Sequence, residues 1–473
     1  MRRVVVTGIG VAAPNGVWHP AYRTVNGSGE EVPENRSFFA NTMNGVSTIQ
    51  QIDWMGDKLD LLPTRVVGRV PHVTEELVKG LFPKKRGKLI RMWGRHTQLG
   101  LAASRWAIMD AGLTPESYDP HRFGVCVATD GYELPASEAA QAGLKAIDFS
   151  PLINACSNGN GNGEIDDAIS NLRVDRAVLM HHLMAEIYPQ EIVIKNMPSG
   201  AASFITMLEG ISGICDTSNN ACAAGLVSTI HGSMHIMLGK QDLILAGGTY
   251  GRAVDGDYVM MGFGKLGGVL SPSKRPPTEV SRPFDTERDG LVLSEGSTML
   301  VLEDYEHALR RGAHIYGEVA GWGWYSGEEK GITALNSDHI VKAIHEAMEM
   351  ASAAPEDIGH ISAHATSTRQ GDPAEAVAIK EALGYSPPVG ALKSIQGHMV
   401  LAASSTALAM ECLCLERRVI FPTINLDRQD PACQDILVPT SADQWGKGED
   451  VSLTIGSAFG GQNVVVALRR FNG

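Results

Sequence analysis

The chain has 473 residues, 44% of them hydrophobic, and a formal net charge of −13 at pH 7. This length exceeds the usual single domain, so we expect two domains or one large duplicated unit around an extensive core. The acidic balance argues against general nucleic-acid binding and against docking on anionic membranes. Seven scattered cysteines without paired CxxC spacing indicate neither a disulfide framework nor a zinc site, and they favour a reduced, cytoplasmic setting.

The chain begins with a β-branched strand over residues 3–8, which we interpret as part of the fold rather than as a signal peptide. Its end, Gly8-Ile-Gly10-Val-Ala-Ala, partly matches a dinucleotide-binding fingerprint. The turn at Pro14-Asn-Gly16 prevents a helix from following at once, so nicotinamide binding is disfavoured. No stretch reaches the roughly 18 apolar residues that a membrane-spanning helix needs. Residues 20–36 and 131–180 are predicted to be loop insertions.

A basic segment leads into a helix predicted over 96–111. Its cations are Lys84, Lys85, Arg86, Lys88, Arg91 and Arg95. The default interpretation of such a run is a solvated helix end. Against an acidic background it is also the obvious landing patch for an acidic partner.

The segment around Cys222 is the candidate reaction centre. Asn219 and Asn220 are cap-forming residues, small residues flank the thiol, and an apolar-periodic helix follows. Amide donors and the helix dipole at such a site favour the thiolate, the form that attacks carbonyls. The alternative is a buried structural cysteine, which most free cysteines are.

A buried strand is predicted over 242–248, meeting a glycine turn, and a glycine-rich loop over 250–268. A return to strand is predicted within 281–303.

The second half of the chain repeats the pattern of the first. A helix over 97–111 precedes a strand over 123–128, and a helix over 338–353 precedes a strand over 358–363. This repeat predicts an internal duplication. The alternation of strands and helices in each half predicts parallel sheets covered by helices, with a site where loops from both halves meet.

Polar residues with chemical potential cluster in the second half. His364 follows a predicted strand, His398 precedes a predicted helix, and Gly456–Asn463 forms a glycine-rich turn able to offer amides to an anion. A lone histidine is more often structural than catalytic, so each one alone leaves that alternative open.

Taken in order, these motifs closely resemble the β-ketoacyl-(acyl carrier protein) synthases, condensing enzymes with the thiolase fold. The resemblance spans nearly the whole chain. The matching motifs are Val4-Val-Val-Thr-Gly-Ile-Gly10, Ala221-Cys222, Ala246-Gly-Gly248, Ser281-Arg-Pro-Phe-Asp285, Glu287-Arg-Asp-Gly290, Leu302-Glu-Asp-Tyr-Glu-His-Ala308, His364-x-Thr-Ser-Thr368, Gly371-Asp-x-Ala-Glu375, Lys393-Ser, Gly397-His398, Pro422-Thr-Ile-Asn-Leu426 and Phe459-Gly-Gly-x-Asn463.

The resemblance implies an α/β thiolase fold, a duplicated αβαβα layered architecture with two mixed, mainly parallel sheets. The first half would cover residues 1–310 and carry the nucleophile and the insertions. The second half would cover residues 311–473 and carry both histidines.

The resemblance also implies roles for particular residues. Cys222 would hold the acyl chain as a thioester, and His364 and His398 would bind the malonyl thioester carbonyl and assist decarboxylation. Lys393 would lie behind the histidines, and its charge would maintain the protonation states of the site. Backbone amides of Cys222 and Ser457 would form the oxyanion hole, and neither a metal nor a redox cofactor is required.

Substrate contacts follow from the same resemblance. The gate and acyl pocket would be formed by Ser457, Phe459, Phe263 and Asn220. The basic segment corresponds to the region where these enzymes meet the acidic acyl carrier protein, with Arg91 as the foremost candidate.

Several positions depart from the family pattern. Asn220 and Gln462 stand where threonine is common, and Ala365 replaces a glycine. Ala407 occupies the place expected for a glutamate partner of the lysine, and Ser457 stands where many members have a gating phenylalanine. We therefore expect a specialised, type II polyketide-like enzyme with an altered gate, rather than a housekeeping fatty-acid enzyme.

The principal hypothesis is a dissociated ketosynthase that performs decarboxylative Claisen condensation with carrier-bound substrates in a polyketide or polyene pathway. The alternatives are acyl transfer or hydrolysis without decarboxylation, and a non-catalytic chain-length partner subunit. The resemblance further implies a dimer, with an identical chain or with a related chain-length subunit.

Overall fold

The computed structural model describes residues 1–20, 37–53, 59, 62–82, 89, 92–130, 147, 177, 194, 197–252, 258–327, 331, 335–446 and 450–472. The two predicted insertions fall largely outside these ranges. Among the described residues, no helix has the length and apolar character needed to cross a bilayer.

The strands, in chain order, are β1 Val4–Ala13, β2 Gly16–Trp18, β3 Gln50–Gln51, β4 Val66–Val67, β5 Phe123–Ala128, β6 Cys215–Ser218, β7 Leu243–Tyr250, β8 Gly296–Asp304, β9 Gly317–Tyr325, β10 Ile358–Ser362, β11 Val389–Gly390, β12 Val419–Ile420, β13 Asp443–Gln444, β14 Val451–Ala458 and β15 Gln462–Arg469. The helices are α1 Phe38–Met43, α2 Glu75–Leu81, α3 Arg95–Asp110, α4 Gly200–Glu209, α5 Ala224–Met237, α6 Tyr258–Lys265, α7 Tyr305–Arg310, α8 Ser337–Ala351, α9 Gly371–Leu383, α10 Lys393–Gln396 and α11 Ala403–Arg417.

The main sheet consists of two similar halves that meet at a short seam. Its order is β11-β10-β14-β15-β9-β1-β8-β7-β5-β6, and β1 pairs with β9 through only Val5↔Glu318 and Val6↔Gly317. Counted outward from the seam, the two halves read β1-β8-β7-β5-β6 and β9-β15-β14-β10-β11. In each half one strand, β8 or β15, runs against the other four. The matching order confirms the duplicated fold that the sequence predicts.

The sheet is buried on both faces by helices. Strands β5, β7, β8 and β14 consist entirely of buried residues, as expected for strands that are covered on both sides. Helices α5 and α11 cross tightly, since a Cβ on Gly225 would lie 2.7 Å from the amide nitrogen of Ser405. The amide of Leu226 donates to Ser404 Oγ at 3.2 Å. The small residues of both helices permit this close contact between the halves.

The glycines of the first strand serve packing. A Cβ on Gly8 would lie 2.8 Å from the Cβ of Ala111, and one on Gly10 would clash with the carbonyl of Ala103. Helix α3 therefore lies directly on β1 at these positions. This contact accounts for the partial dinucleotide fingerprint without a nucleotide.

Two predicted glycine turns are replaced by strand, one entirely and one in part. Gly247 and Gly248 lie within β7. Gly456, Ser457 and Ala458 lie within β14, and the turn itself is confined to residues 459–461. A Cβ on Gly248 would clash with the carbonyl of Leu401, so glycine there permits a neighbouring segment to approach the strand. Glycine was a poor guide to turns here because the fold uses it for close packing.

Further boundaries differ from the sequence-based expectations. The glycine-rich stretch 250–268, predicted to be a loop, contains α6, and the return to strand within 281–303 begins only at Gly296. The predicted helix 338–353 and strand 358–363 correspond to α8 and β10 within two residues. The division of the chain near residue 310 remains a prediction.

Candidate active site

Cys222 lies in the short 3₁₀ turn Ala221–Ala223 between β6 and α5. Its side chain faces the interior, and the residue is only 6% exposed. The turn is strained, because Ala221 has a φ of +44°. The predicted capping by Asn220 is wrong: its side chain makes no cap hydrogen bond, and its Nδ2 donates to Gln462 Oε1 at 2.9 Å.

His398 is the direct neighbour of the thiol. Its Nε2 lies 3.0 Å from Cys222 Sγ. The backbone of His398 is held by two hydrogen bonds, in which its amide donates to Val292 O at 2.7 Å and its carbonyl accepts from Ser294 N at 2.9 Å. Gly397 precedes it with a φ of +73°, and a Cβ there would clash with Ser294. The Gly397-His398 pair thus sets the imidazole against the nucleophile.

His364 completes the group from the end of β10. The His364 and His398 rings are 5.5 Å apart and nearly perpendicular at 87°. One ligand-type atom from each of Cys222, His364 and His398 lies within 4.8 Å of the other two. The tertiary structure therefore brings together three residues that lie up to 176 positions apart in sequence.

A carboxylate fixes the turn that carries His364. The amides of His364 and Ala365 donate to the two oxygens of Glu375 at 2.6 and 2.7 Å. Lys393 Nζ donates to the His364 carbonyl. Ala365 has a φ of +33°, in the region that favours glycine. The Glu375 contacts hold this alanine in a conformation that would otherwise be costly.

Buried arginine contacts hold the segment that follows. Arg288 Nε donates to the Thr368 carbonyl and its Nη2 to the Arg369 carbonyl, both at 3.0 Å. Asp372 accepts from the amides of Phe284 and Thr368 at 2.9 and 3.2 Å. The motifs at 281–285 and 287–290 thus support the loop after His364.

Burial controls the protonation of the group. It raises the pKa of the Cys222 thiol to about 12, although the nearby charge of Lys393 works in the opposite direction. Burial first, and the charge of Lys393 second, lower the pKa of His364 and His398 well below the usual range. At neutral pH the resting site therefore holds a thiol and two neutral imidazoles. The thiolate expected from the helix start does not prevail, because desolvation outweighs the dipole.

Lys393 has a charge partner after all. The carboxylate of Glu375 raises the pKa of the Lys393 ammonium, while burial, the larger effect, lowers it. Ala407, expected to leave this lysine without a glutamate, is a buried residue of α11. The sequence left the charge environment of Lys393 open, and in the structure Glu375 supplies an acidic neighbour.

A cavity of about 230 Å³ opens beside the three residues. Its lining includes the three predicted pocket residues Phe263, Ser457 and Phe459, together with Cys222 and both histidines. The rings of Phe263 and Phe459 meet edge to face at 5.5 Å. Asn220, the fourth predicted pocket residue, is absent from this lining and instead contacts Gln462 at the start of β15.

The resemblance implies an oxyanion hole made by backbone amides at two positions. The amide of Cys222 belongs to the 3₁₀ turn that carries the thiol. The pairing of β14 with β10 ends at Ser362↔Thr454, so beyond Thr454 the described structure pairs β14 with β15 alone. The Ser457 side chain is occupied by Asn463 Oδ1 at 2.8 Å. An oxyanion role for the backbone amides of Cys222 and Ser457 remains a prediction.

The predicted docking patch is described at one position. Lys84, Lys85, Arg86, Lys88 and Arg91 lie outside the described residues. Arg95 forms a bidentate ion pair with Glu295 at 2.9 and 2.7 Å, and also donates to the Val70 and Val73 carbonyls. Its guanidinium is therefore engaged within the fold at the start of α3.

The same three side chains offer the atom types of a metal site. Two features differ from usual zinc centres. Nδ1 of each histidine has no hydrogen-bond partner among the described residues, whereas metal-bound histidines commonly donate their second nitrogen. The positive charge of Lys393 also acts on this site, where it lowers the pKa of Cys222 and of His364. The arrangement suits acid–base and nucleophilic chemistry.

Comparisons with known proteins agree with this chemistry. The family model "Beta-ketoacyl synthase, N-terminal domain" matches residues 1–308, and "Beta-ketoacyl synthase, C-terminal domain" matches residues 316–427. The chain belongs to the beta-ketoacyl synthase family. One relative is the tetracenomycin polyketide synthase ketoacyl synthase alpha subunit of Streptomyces glaucescens, 30% identical over 99% of this chain and 97% of the relative.

Solved ketosynthases share the fold over the full length of the chain. One is the ketosynthase of the AntDE:AntF complex, which contains a type II PKS acyl-carrier protein with its ketosynthase bound to the hexaketide. It is 28% identical, with a TM-score of 0.75. Another is the ishigamide ketosynthase/chain length factor, 28% identical with a TM-score of 0.74. Each match covers 100% of both chains.

As a beta-ketoacyl synthase the chain is an acyltransferase of the condensing type, which gives the geometry a chemical purpose. The supporting role of Glu375 was missed from sequence, although the motif containing it was identified. A signal was present, since Glu375 lies eleven positions after His364 and a helix start lies between them. The buried Arg288 gave no such signal, because arginine is usually exposed.

Proposed function

We propose that this beta-ketoacyl synthase is a dissociated ketosynthase that condenses an acyl group on Cys222 with a malonyl group on an acyl carrier protein. The product is a 3-oxoacyl thioester two carbons longer, made for a type II polyketide or polyene pathway. The observation that carries the proposal is the 3.0 Å contact between His398 Nε2 and Cys222 Sγ, with His364 facing both in one cavity.

Acyl transfer begins at the thiol. A neutral His398 accepts the thiol proton as Sγ attacks the incoming thioester carbonyl, since a thiol with a pKa of about 12 needs a base. The tetrahedral oxyanion accepts hydrogen bonds from the amides of Cys222 and Ser457. Collapse breaks the bond to the carrier sulfur, which leaves with the proton from His398. Cys222 then carries the acyl chain.

Condensation uses the two neutral imidazoles. The malonyl thioester carbonyl accepts hydrogen bonds from His364 and His398, and loss of carbon dioxide leaves an enolate that they stabilise. Its carbon attacks the acyl-Cys222 carbonyl, the bond to Sγ breaks, and the freed thiolate takes a proton from solvent water to restore the thiol. The Lys393 ammonium and the Glu375 carboxyl group hold the backbone of His364 in place. The burial that lowers the histidine pKa values keeps both rings neutral for this step.

The proposed partners follow from the relatives. We propose that an acyl carrier protein presents both thioesters, at least partly through the basic segment 84–95. We also propose a dimer, with a second copy or with a chain-length subunit, and a cytoplasmic setting.

The test is the mass of the intact protein after incubation with acyl- and malonyl-carrier protein. We expect an acyl adduct on Cys222, release of carbon dioxide and a product two carbons longer. Cys222→Ala should abolish the adduct and the longer product, whereas Cys215→Ala, which removes an exposed thiol, should retain both. An adduct without carbon dioxide release would point to simple acyl transfer or hydrolysis. Unchanged pathway flux with Cys222→Ala would point to a non-catalytic subunit.

A further inference from the structure

The catalytic cavity carries a single charged side chain among its described lining residues. That residue is Arg369, which lies with Gln370 in the exposed part of the lining, whereas Cys222, His364 and His398 are buried. The lining is thus exposed at one end and buried at the other. Arg369 lies at the exposed end, which we call the mouth of the cavity. A ligand that reaches the thiol through this mouth passes the guanidinium.

The fold anchors the backbone of Arg369 and leaves its side chain uncommitted. Arg288, itself 4% exposed, donates to the Thr368 and Arg369 carbonyls, and the amide of Gly371 donates to Thr368 Oγ1 at 3.2 Å. The Arg369 guanidinium has no hydrogen-bond or carboxylate partner in the described part of the chain. Arg95, by contrast, is committed to Glu295.

The charge at this mouth favours an anion. The chain carries a net charge of −13, so an arginine beside the cavity that pairs with no carboxylate among the described residues is notable. A guanidinium presents a planar fork of donors that matches phosphate and carboxylate oxygens. The hydroxyls of Thr366 and Thr368 also face the cavity lining and can accept or donate further hydrogen bonds.

The proposed substrates carry two kinds of anion. One is the phosphodiester that joins the pantetheine arm to the carrier protein. The other is the malonyl carboxylate, which must lie beside the buried histidines when it decarboxylates. Because Arg369 is exposed and the histidines are 6% and 1% exposed, the phosphodiester is the anion that matches the depth of Arg369.

We propose that Arg369 binds the phosphodiester of the carrier protein's phosphopantetheine arm and so positions the thioester in the cavity. This inference rests on the proposed function. Thr366 and Thr368 lie between the arginine and His364 in sequence and contribute polar contacts along the arm. Arg369 is a binding residue in this scheme and takes no part in bond making.

The test compares two acyl and malonyl thioesters, one on phosphopantetheine and one on pantetheine, which lacks the phosphate. For Arg369→Gln we expect the KM of the phosphorylated substrates to rise about tenfold, as for loss of one charge-assisted contact, with kcat retained. The pantetheine substrates are the internal reference, because their KM should not change. The ratio of the phosphopantetheine KM to the pantetheine KM should therefore rise by the same factor. Arg369→Lys should recover part of it. Lys342→Gln, an exposed cation on α8, is the matched control.

Three results would overturn the inference. An equal rise in KM for both arms would indicate a change in the shape of the mouth. A rise confined to malonyl substrates, with or without phosphate, would assign Arg369 to the carboxylate. If the ratio of KM values changed for neither the acyl nor the malonyl substrates, Arg369 would not be a substrate-binding residue. Wild-type protein that neither acylates nor condenses with any of these thioesters would instead contradict the proposed function.

Discussion

The thiol of Cys222 is reactive through its neighbour rather than through its own acidity. Burial holds its pKa at about 12, and His398 Nε2 lies 3.0 Å away to receive the proton. Proton transfer during attack then replaces a resting thiolate. When a reagent reacts only with the thiolate, the reaction rate should therefore depend on pH.

Alkylation measures this directly. We expect the rate at which iodoacetamide modifies Cys222 to rise about tenfold per pH unit between pH 7 and pH 10, because the thiolate fraction grows in that proportion below the pKa. Mass spectrometry of the Cys222 peptide gives the rate, with the exposed Cys215 as the internal comparison. A plateau below about pH 9 would mean that Cys222 rests as a thiolate.

Asn220 and Gln462 form one feature, although each replaces a threonine separately in sequence. Their hydrogen bond at 2.9 Å joins the residue before the strained Ala221 to the loop that follows Phe459. We expect the pair to hold the Phe459 ring against Phe263, and so to set the shape of the acyl pocket.

A double-mutant cycle tests this coupling. Asn220→Ala and Gln462→Ala should show an interaction free energy of about 1 kcal/mol in urea unfolding, the net contribution of one hydrogen bond. Asn220→Ala combined with Asn425→Ala is the control. Asn425 bonds the Thr278 and Ser281 carbonyls in a separate contact, so those two effects should add. Simple additivity for the 220–462 pair would show that the contact contributes nothing.

At the scale of elements, the segment from His364 to Gln370 is a loop whose shape is imposed by other segments. Ala365 and Ser367 both have positive φ values, of +33° and +67°. Glu375, Asp372 and Arg288 supply the hydrogen bonds that hold it. Catalytic geometry at His364 thus depends on residues that do not contact the substrate.

Removing Arg288 should expose this dependence. Arg288→Gln removes a buried cation that pairs with Asp430 at 2.6 Å, and we expect unfolding free energy to fall by about 3–5 kcal/mol. The condensation rate should fall further than the loss of folded protein explains. The reason is that the loop after His364 loses the hydrogen bonds that Arg288 donates to it. The control Arg275→Gln breaks an exposed pair with Glu287, which should cost about 1 kcal/mol or less. Equal effects of the two substitutions in urea unfolding would contradict this account.

At the scale of the whole molecule, the sheet ends in a strand edge. The carbonyls of Ile214 and Ser218 accept from β5 at 2.8 and 3.3 Å. In a parallel pair, alternate residues face the same neighbour, so the backbone groups of Cys215 and Thr217 face away from β5. β6 is the last strand of the described sheet, and this edge suits pairing with a second subunit.

A proline at the edge tests the dimer. Thr217→Pro removes an outward-facing N–H, so we expect the apparent mass in sedimentation equilibrium to fall toward that of one chain. Thr217→Val keeps the N–H and should retain the dimer. Monomeric wild-type protein would contradict the dimer, and a dimer that survives the proline would place the interface elsewhere.

Sequence patterns were enough to predict the fold class and the duplication and to select the candidate reacting residues. Strand and helix order repeats in the two halves, and strand 123–128 coincides with β5. Cys222, His364 and His398 were identifiable as candidates because each stands in an ordered set of motifs. These properties lie in residue types and in spacing along the chain, which sequence records directly.

Tertiary structure alone decided how those residues behave. Three features depend on contacts between separate segments of the chain. They are the high pKa of Cys222, the effect of Glu375 on Lys393 and the hydrogen bond between Asn220 and Gln462. Burial and hydrogen bonding depend on which groups meet in space, and local patterns carry no record of those meetings. The physical reason is that desolvation and charge act through distance in the folded molecule.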